Sequence, residues 1–168
     1  GIRRTRPRSL AMKSNQILAL ALVTVVNLAS PGLAAAESMP PAWPGETIDT
    51  WHGFRRHNFT VDGCAAWVVE PAQAAPGRPW SWCLEFPDAF AERCAAPALL
   101  SKGLHHAHIV VGNTFGSPEA LRHFTAFHTA VTARGLAPRA VLIGLSRGGL
   151  YAYRWAAVAV ILCPDPDA

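Results

Sequence analysis

Residues 140–155 read AVLIGLSRGGLYAYRW, and this stretch decides the fold that the sequence predicts. Its first four residues are aliphatic and predict a short buried strand, and residues 148–156 predict a helix. Between them, Gly144, Ser146 and Gly148 form a Gly-x-Ser-x-Gly pattern, which Gly149 extends. A serine that projects from a very tight strand-to-helix turn needs glycine two positions before and after it, because side chains there would collide.

This turn has two interpretations at the level of sequence. The first is a nucleophilic serine, whose oxyanion would lie near the first amides of the following helix. The second is an ordinary glycine-rich turn in which Ser146 only caps the helix. A phosphate-binding loop is disfavoured, because no Gly-Lys-Ser or Gly-Lys-Thr is present. The aliphatic strand before the turn and the helix after it favour the first interpretation.

Upstream of this turn the chain alternates between strand and helix patterns. Asp62-Gly63 is a strong two-residue turn signal between two strand-like runs and predicts a hairpin. Asp88 and Ser117 are candidate helix caps, and Gly103 and Gly135 are candidate helix ends. The hairpin and the alternating elements predict an α/β domain with a mainly parallel sheet and flanking helices. The predicted elements are strands 54–61, 64–70, 80–86, 105–111 and 140–143, and helices 88–102, 118–134 and 148–156.

The whole arrangement resembles the α/β-hydrolase superfamily, in particular a group of secreted bacterial members. These share an "EF" pair after the third strand and an "SRGGL" turn, the nucleophile elbow. The elbow is the one specific motif, and the rest is similar in pattern only. The stretches that carry the resemblance are 51–54, 61–63, 80–86, 112–113 and 144–155, within residues 51–157.

The resemblance implies roles for residues of the elbow and of the loop after the strand at 80–86. Ser146 would be the nucleophile, and the backbone amides of Arg147 and Phe86 would hold the oxyanion. Glu85 would line the site or anchor the loop, or else be a solvated acid. The Arg147 guanidinium would hold a carboxylate or a substrate oxygen, or else be an ordinary surface group.

The acid and the base of a serine triad are missing from their expected positions. In the superfamily both follow the serine, yet the 22 residues after Ser146 contain Asp165, Asp167 and no histidine. Residues 158–163 predict at most a sixth strand. We therefore expect an α/β-hydrolase fold truncated after about the sixth strand, with the acid and the base beyond residue 168.

All seven histidines precede Ser146, and we expect structural or surface roles for them. Strand alternation places His106 and His108 on one face, but no third ligand is spaced nearby to complete a metal site. The sequence therefore predicts neither a metal nor a cofactor.

The N-terminus has the pattern of a secretory signal peptide over residues 1–36. Basic residues precede the apolar run 17–29, and Ala34-Ala35-Ala36 offers a cleavage site before Glu37. Met12 would start a leader of ordinary length, so residues 1–11 are upstream sequence or an extended basic region. Residues 37–50 predict a linker or N-terminal arm, and 51–168 the partial hydrolase domain.

The leader also explains the net charge of +4, since residues 37–168 hold 10 basic and 11 acidic residues. The body therefore has no basic field for nucleic acid or for an anionic membrane. Secretion or a periplasmic location would permit disulfides among Cys64, Cys83, Cys94 and Cys163, and sequence does not rank the three pairings.

Three functional hypotheses follow from these observations. The first is a serine hydrolase that cleaves an ester or a peptide bond through Ser146, with a small molecule, carbohydrate ester or peptide as substrate. The second is an inactive, incomplete hydrolase fold. The third is a secreted binding module that keeps the pocket without the chemistry. No membrane anchor is expected after cleavage of the leader, and the oligomeric state stays open.

Overall fold

The computed structural model describes residues 42–162, with side chains described to residue 158. Within this range, a six-stranded sheet has the strand order β1-β2-β3-β5-β4-β6. The elements in chain order are β1 Thr47–Trp51, β2 Phe54–Val61, β3 Cys64–Val69, β4 Trp80–Cys83, α1 Ala96–Ser101, β5 His105–Ile109, α2 Pro118–Thr132, β6 Ala140–Ile143 and α3 Arg147–Leu162.

The sheet is mixed, with an antiparallel half and a parallel half. β1, β2 and β3 form consecutive antiparallel pairs, and the predicted hairpin closes at Val61 and Cys64. β3 then pairs antiparallel with β5, whereas β4 lies parallel to both β5 and β6. Because β4, β5 and β6 run in the same direction, the loops that follow them meet at one edge of the sheet. We call this the carboxyl edge, and the opposite end of these strands the amino edge.

The main core lies between one face of the sheet and helices α2 and α3. Trp80 and Trp82 of β4 are fully buried there, because both faces of this central strand are covered. Trp82 packs against Trp155 of α3 at a ring-centroid distance of 5.2 Å and against Phe124 of α2 at 5.5 Å. The apolar positions of α2 therefore fix both helices on the sheet.

A smaller core covers the opposite face, as the two-residue period of a strand requires. Trp67 and Val69 of β3 pack there with Trp51, and Leu100 of α1 closes the cluster. His106 lies between Trp51 and Trp67, and the centroid of its ring is 5.1 and 5.5 Å from theirs. The prediction that His106 and His108 share a face is confirmed, because both rings lie next to Trp67.

The sequence signals that predict the start and the end of helix α2 are confirmed. The Ser117 hydroxyl accepts a hydrogen bond from the Ala120 amide at 3.3 Å, Pro118 is the first helical residue, and Gly135 follows the helix with a positive φ.

The strands predicted at 80–86 and 105–111 end earlier, at Cys83 and Ile109, and three predictions differ more widely from the structure. Thr47–Trp51, whose first four residues were assigned to the arm 37–50, is an edge strand with four exposed side chains, so no apolar alternation marked it. The helix predicted at 88–102 is only Ala96–Ser101, because the Asp88 carboxylate accepts a hydrogen bond from Trp51 Nε1 at 2.8 Å instead of capping. Residues 158–162 continue α3 instead of starting a sixth strand of the predicted series.

Cys64, Cys83 and Cys94 are free thiols in this structure, so no disulfide joins any two of them. Cys163 and the predicted signal peptide lie outside the described residues. Within residues 42–162, no helix is both long enough and apolar enough to cross a bilayer.

Candidate functional site

Ser146 lies at the carboxyl edge, in the two-residue gap between Gly144 and the first residue of α3. Its φ is 53°, in the left-handed region that residues with a Cβ rarely adopt. The turn is closed by a hydrogen bond from the Gly148 amide to the Leu145 carbonyl at 2.8 Å. Ser146 is exposed, so the turn presents its hydroxyl at the surface. Such local strain is typical of functional sites.

Two of the three elbow glycines are required by close contacts. A Cβ on Gly144 would lie 2.7 Å from the Gly149 Cα, and one on Gly148 would lie 2.9 Å from the Glu85 Cβ. Gly149 is different, because a Cβ there would have its nearest neighbour at 3.8 Å, an ordinary contact. The spacing that requires glycine is therefore 144 and 148, as the Gly-x-Ser-x-Gly pattern predicts.

The two backbone amides expected to hold an oxyanion belong to Arg147 and Phe86. Arg147 begins α3, and neither amide donates a hydrogen bond within the described part of the chain. Phe86 also has a positive φ, 53°, in the loop after β4. Glu85, the residue before it, lies against Gly148, so this loop contacts the start of α3. Both donors thus belong to segments that meet beside the serine turn.

Glu85 and Arg147 form an ion pair, with 3.3 Å between Arg147 Nη2 and Glu85 Oε2. The guanidinium carbon also lies 5.3 Å from the ring centroids of both Phe86 and Phe115. The carboxylate that Arg147 holds is therefore that of Glu85, and Glu85 anchors the loop after β4 to the start of α3. The sequence left the roles of Glu85 and Arg147 open, because the two residues are 62 positions apart and no motif indicates that they are in contact.

A third loop, after β5, completes the carboxyl edge. The Tyr151 hydroxyl of α3 donates to the Gly112 carbonyl at 3.0 Å and accepts from the Phe115 amide at 3.1 Å. The ring of Tyr151 is fully buried, so its hydroxyl holds the loop at a fixed distance from the helix. The sequence places Tyr151 on the predicted helix after the elbow, but it does not predict the hydrogen bonds of its hydroxyl to the loop after β5.

The Ser146 hydroxyl has no hydrogen-bonding partner among the described residues. None of the seven histidines contacts it. Five of them have carboxylate or carbonyl partners elsewhere: His52 with Glu92, His57 with Glu46 and Glu70, His108 with the Cys83 carbonyl, His123 with Asp62, and His128 with the Pro138 carbonyl. Within residues 42–158, therefore, no side chain is placed to act as a general base for Ser146.

The β5 histidines are buried and carry lowered pKa values. Burial lowers the pKa of His105 and of His106 to about 4, and it also lowers the pKa of His108. Ser81 Oγ lies 3.3 Å from the His105 carbonyl oxygen and 2.8 Å from His106 Nδ1, so its hydroxyl holds the ring of His106 in the sheet. These rings are neutral at pH 7 and are part of the core.

Burial likewise raises the pKa of the Cys83 thiol to about 11, which keeps it protonated and unreactive. No group of three or more histidine, cysteine or acidic side chains within residues 42–158 is close enough to hold a metal ion.

Comparisons with known proteins give similar solved structures. No protein-family model and no curated protein matches the chain. Cfl2 from Burkholderia cenocepacia is 20% identical with a TM-score of 0.48, over 67% of this chain and 40% of that one. XC6422 from Xanthomonas campestris, described as an a/b serine hydrolase without lid, is 16% identical with a TM-score of 0.44, over 71% and 59%.

Epoxide hydrolase VrEH1 from Vigna radiata is 14% identical with a TM-score of 0.44, over 66% of this chain and 35% of that one. The chain thus spans between 35% and 59% of the length of these three structures. The chain's own six-stranded mixed sheet with flanking helices is an α/β fold, as the sequence predicts.

Proposed function

We propose that this chain carries the nucleophile of a secreted serine hydrolase, which cleaves an ester or peptide bond through an acyl-Ser146 intermediate. The observation that supports this most directly is the serine turn. Ser146 has a φ of 53°, its hydroxyl is exposed, and the glycines at 144 and 148 leave no room for side chains. An ordinary helix cap needs none of these features.

The proposed reaction uses the two unpartnered amides. Ser146 Oγ attacks the substrate carbonyl as a base takes its proton, and the carbonyl oxygen becomes negatively charged. The amides of Arg147 and Phe86 donate to that oxygen, aided by the positive end of the dipole of α3. The leaving alcohol or amine departs with a proton from the base, and water then hydrolyses the acyl-serine by the same route.

The fit of a substrate depends on the loops at the carboxyl edge. The Glu85–Arg147 ion pair and the Tyr151 hydroxyl hold the loops that carry Phe86 and Phe115. Phe86 and Phe115 are 38% and 63% exposed, so apolar surface is available beside Ser146 for the body of a small-molecule ester, carbohydrate ester or peptide. The proposed location is the periplasm or the outside of the cell, after removal of residues 1–36.

A second function has one observation in its favour. Because Ser146 has no base among the described residues, the same loops at the carboxyl edge, without turnover, would form the site of a secreted binding module. The two proposals differ in what an added base does. If Ser146 and the amides form a catalytic site, a free base in solution can replace the missing side chain, whereas a binding module gains nothing.

The test is hydrolysis of p-nitrophenyl acetate by the purified chain, with and without added imidazole. Without imidazole, we expect the chain and Ser146→Ala to react at similar, very low rates, because the serine stays a neutral hydroxyl. With imidazole, we expect the chain to react about tenfold faster than Ser146→Ala in the same buffer, a small part of what a positioned base supplies.

Ser101→Ala is the matched control, because it removes an exposed hydroxyl from α1. It should react like the unchanged chain. If Ser146→Ala equals the unchanged chain at every imidazole concentration, the proposed nucleophile is wrong and the binding module is favoured.

Secretion has a separate test. N-terminal sequencing of the exported protein should begin at Glu37, because the small residues Ala34-Ala35-Ala36 precede it. An exported protein that keeps residues 17–29 would contradict the signal peptide.

A further inference from the structure

A cavity of about 240 Å³ lies at the amino edge of the sheet, where β4 and β5 begin. Arg78 precedes β4 and His105 is the first residue of β5, and both line it. Arg55 and His57 of β2 form another wall. Since the parallel strands run away from this edge toward Ser146, the cavity lies at the opposite end of the sheet from the serine turn.

The two acids of the cavity are already paired with one histidine. His57 Nδ1 lies 2.9 Å from Glu46 Oε2, and His57 Nε2 lies 3.2 Å from Glu70 Oε1. The His57 side chain is only 9% exposed, so the three groups form a closed cluster in the wall. Arg55 contributes to lowering the pKa of Glu46 by its charge, but neither carboxylate lies within 4.0 Å of a guanidinium nitrogen of Arg55, Arg78 or Arg134.

Three guanidinium groups that pair with no carboxylate among residues 42–158 line the same cavity. Within the described residues, Arg55, Arg78 and Arg134 have no acidic oxygen within 4.0 Å. Arg78 Nη1 donates to the Arg134 carbonyl at 3.3 Å, and the Arg134 guanidinium lies 4.0 Å from the ring centroid of Trp43. Neighbouring positive charges in a half-buried pocket are unfavourable unless an anion compensates them.

His105 adds a neutral polar group to this cavity. It is 3% exposed, and its Nδ1 lacks a well-aligned hydrogen bond within the described residues, although the ring interacts with the Pro79 backbone. Burial lowers its pKa to about 4, so the ring is neutral at pH 7. A buried imidazole nitrogen without a well-aligned partner costs free energy unless something in the cavity binds it.

We propose that this cavity binds a small organic carboxylate, with Arg55, Arg78 and His105 all donating to the carboxylate oxygens. Guanidinium forks match carboxylates in geometry. Trp43, Val68 and Leu136 also line the cavity and provide apolar contacts, which an organic anion can use and inorganic phosphate cannot. A cavity of about 240 Å³ limits the ligand to small molecules.

The test is isothermal titration calorimetry of the purified chain with butyrate, benzoate and inorganic phosphate in separate titrations. Butyrate or benzoate should bind, and phosphate should bind more weakly. Arg55→Gln and Arg78→Gln should each weaken carboxylate binding about tenfold, because each removes a charge-assisted hydrogen bond.

Arg93→Gln is the matched control, since Arg93 is exposed, contacts the ring of Phe90 and does not line the cavity. It removes the same charge and should leave the affinity unchanged. Arg55 makes no ion pair with any described residue, so its variant keeps the fold, which circular dichroism verifies. The proposal fails if no carboxylate binds, if phosphate binds as tightly, or if Arg93→Gln weakens binding as much as Arg55→Gln.

Discussion

The serine turn contacts the loop after β4, and strand β5 pairs with β4 itself. The polar residues of these two regions nevertheless differ in exposure and in hydrogen bonding. Ser146 is exposed, has a strained backbone and lacks a hydrogen-bonding partner within the described residues. His106 and His108 of β5 are buried and have hydrogen-bonding partners in the sheet. The residue with catalytic potential is thus presented to solvent, whereas the residues that could act as its base belong to the core.

This difference teaches that residue type alone does not identify a catalytic group. Burial costs a histidine its charge and its access to substrate, and a core position then makes it a packing residue. A strained turn instead keeps a serine exposed and accessible to substrate. The strained backbone costs free energy, which the rest of the fold must offset.

Lowering the pH should have the largest effect on the free energy of unfolding, because it favours protonation of the buried β5 histidines. The folded-state pKa values of His105 and His106 are about 4, below the unfolded value of about 6.5, so the unfolded chain binds more protons between these values. Their contribution is fully present above pH 6.5 and is lost as the pH falls toward 4. The loss at pH 4 is on the order of 3 kcal/mol per histidine.

Urea unfolding between pH 7 and pH 4 measures this effect. His106→Gln should flatten the dependence by about half, because glutamine keeps a polar side chain without titrating. A free energy of unfolding that stays constant over this range would show that these histidines are not held neutral in the core.

The second-largest loss of stability is expected from a substitution in the serine turn, at Gly144. Gly144→Ala places a Cβ 2.7 Å from the backbone of Gly149, and it should destabilise the domain by about 1–3 kcal/mol. Gly149→Ala is the matched control, because its Cβ meets only an ordinary contact at 3.8 Å, and alanine favours the helix by about 0.5–1 kcal/mol. Chemical denaturation of both variants compares them. Equal stability of the two would mean that the turn has room which the structure does not show.

The smallest effect is expected at Tyr151, which joins α3 to the loop after β5. Tyr151→Phe keeps the buried ring against Phe124 but removes the hydrogen bonds to Gly112 and Phe115, at a cost of about 1–2 kcal/mol. Amide hydrogen exchange at Phe115 should become faster, while Tyr153→Phe, whose side chain is 82% exposed, should change nothing. Unchanged protection at Phe115 would show that the loop is held by other contacts.

Much of the fold was predictable because its signals are local. The hairpin depends on Asp62-Gly63, α2 on Ser117 and Pro118, and the strand before Ser146 on four aliphatic residues in a row. The boundaries that were wrong depend on distant partners: β1 is an exposed strand that exists only because β2 pairs with it, and Asp88 bonds to Trp51 instead of capping a helix.

The sequence by itself determined the position of the serine turn, since glycine at 144 is a requirement of local sterics: a Cβ there would collide with the backbone of Gly149. The requirement for glycine at 148 comes from the tertiary contact with Glu85. Only the tertiary structure decided what surrounds it. The Glu85–Arg147 ion pair and the hydrogen bond from the Phe115 amide to the Tyr151 hydroxyl join residues at least 36 positions apart, and the cavity at the amino edge brings Arg55, Arg78 and His105 together from three strands or their ends. Such contacts depend on the strand order and on which face each side chain occupies, and neither is written in the spacing of a motif.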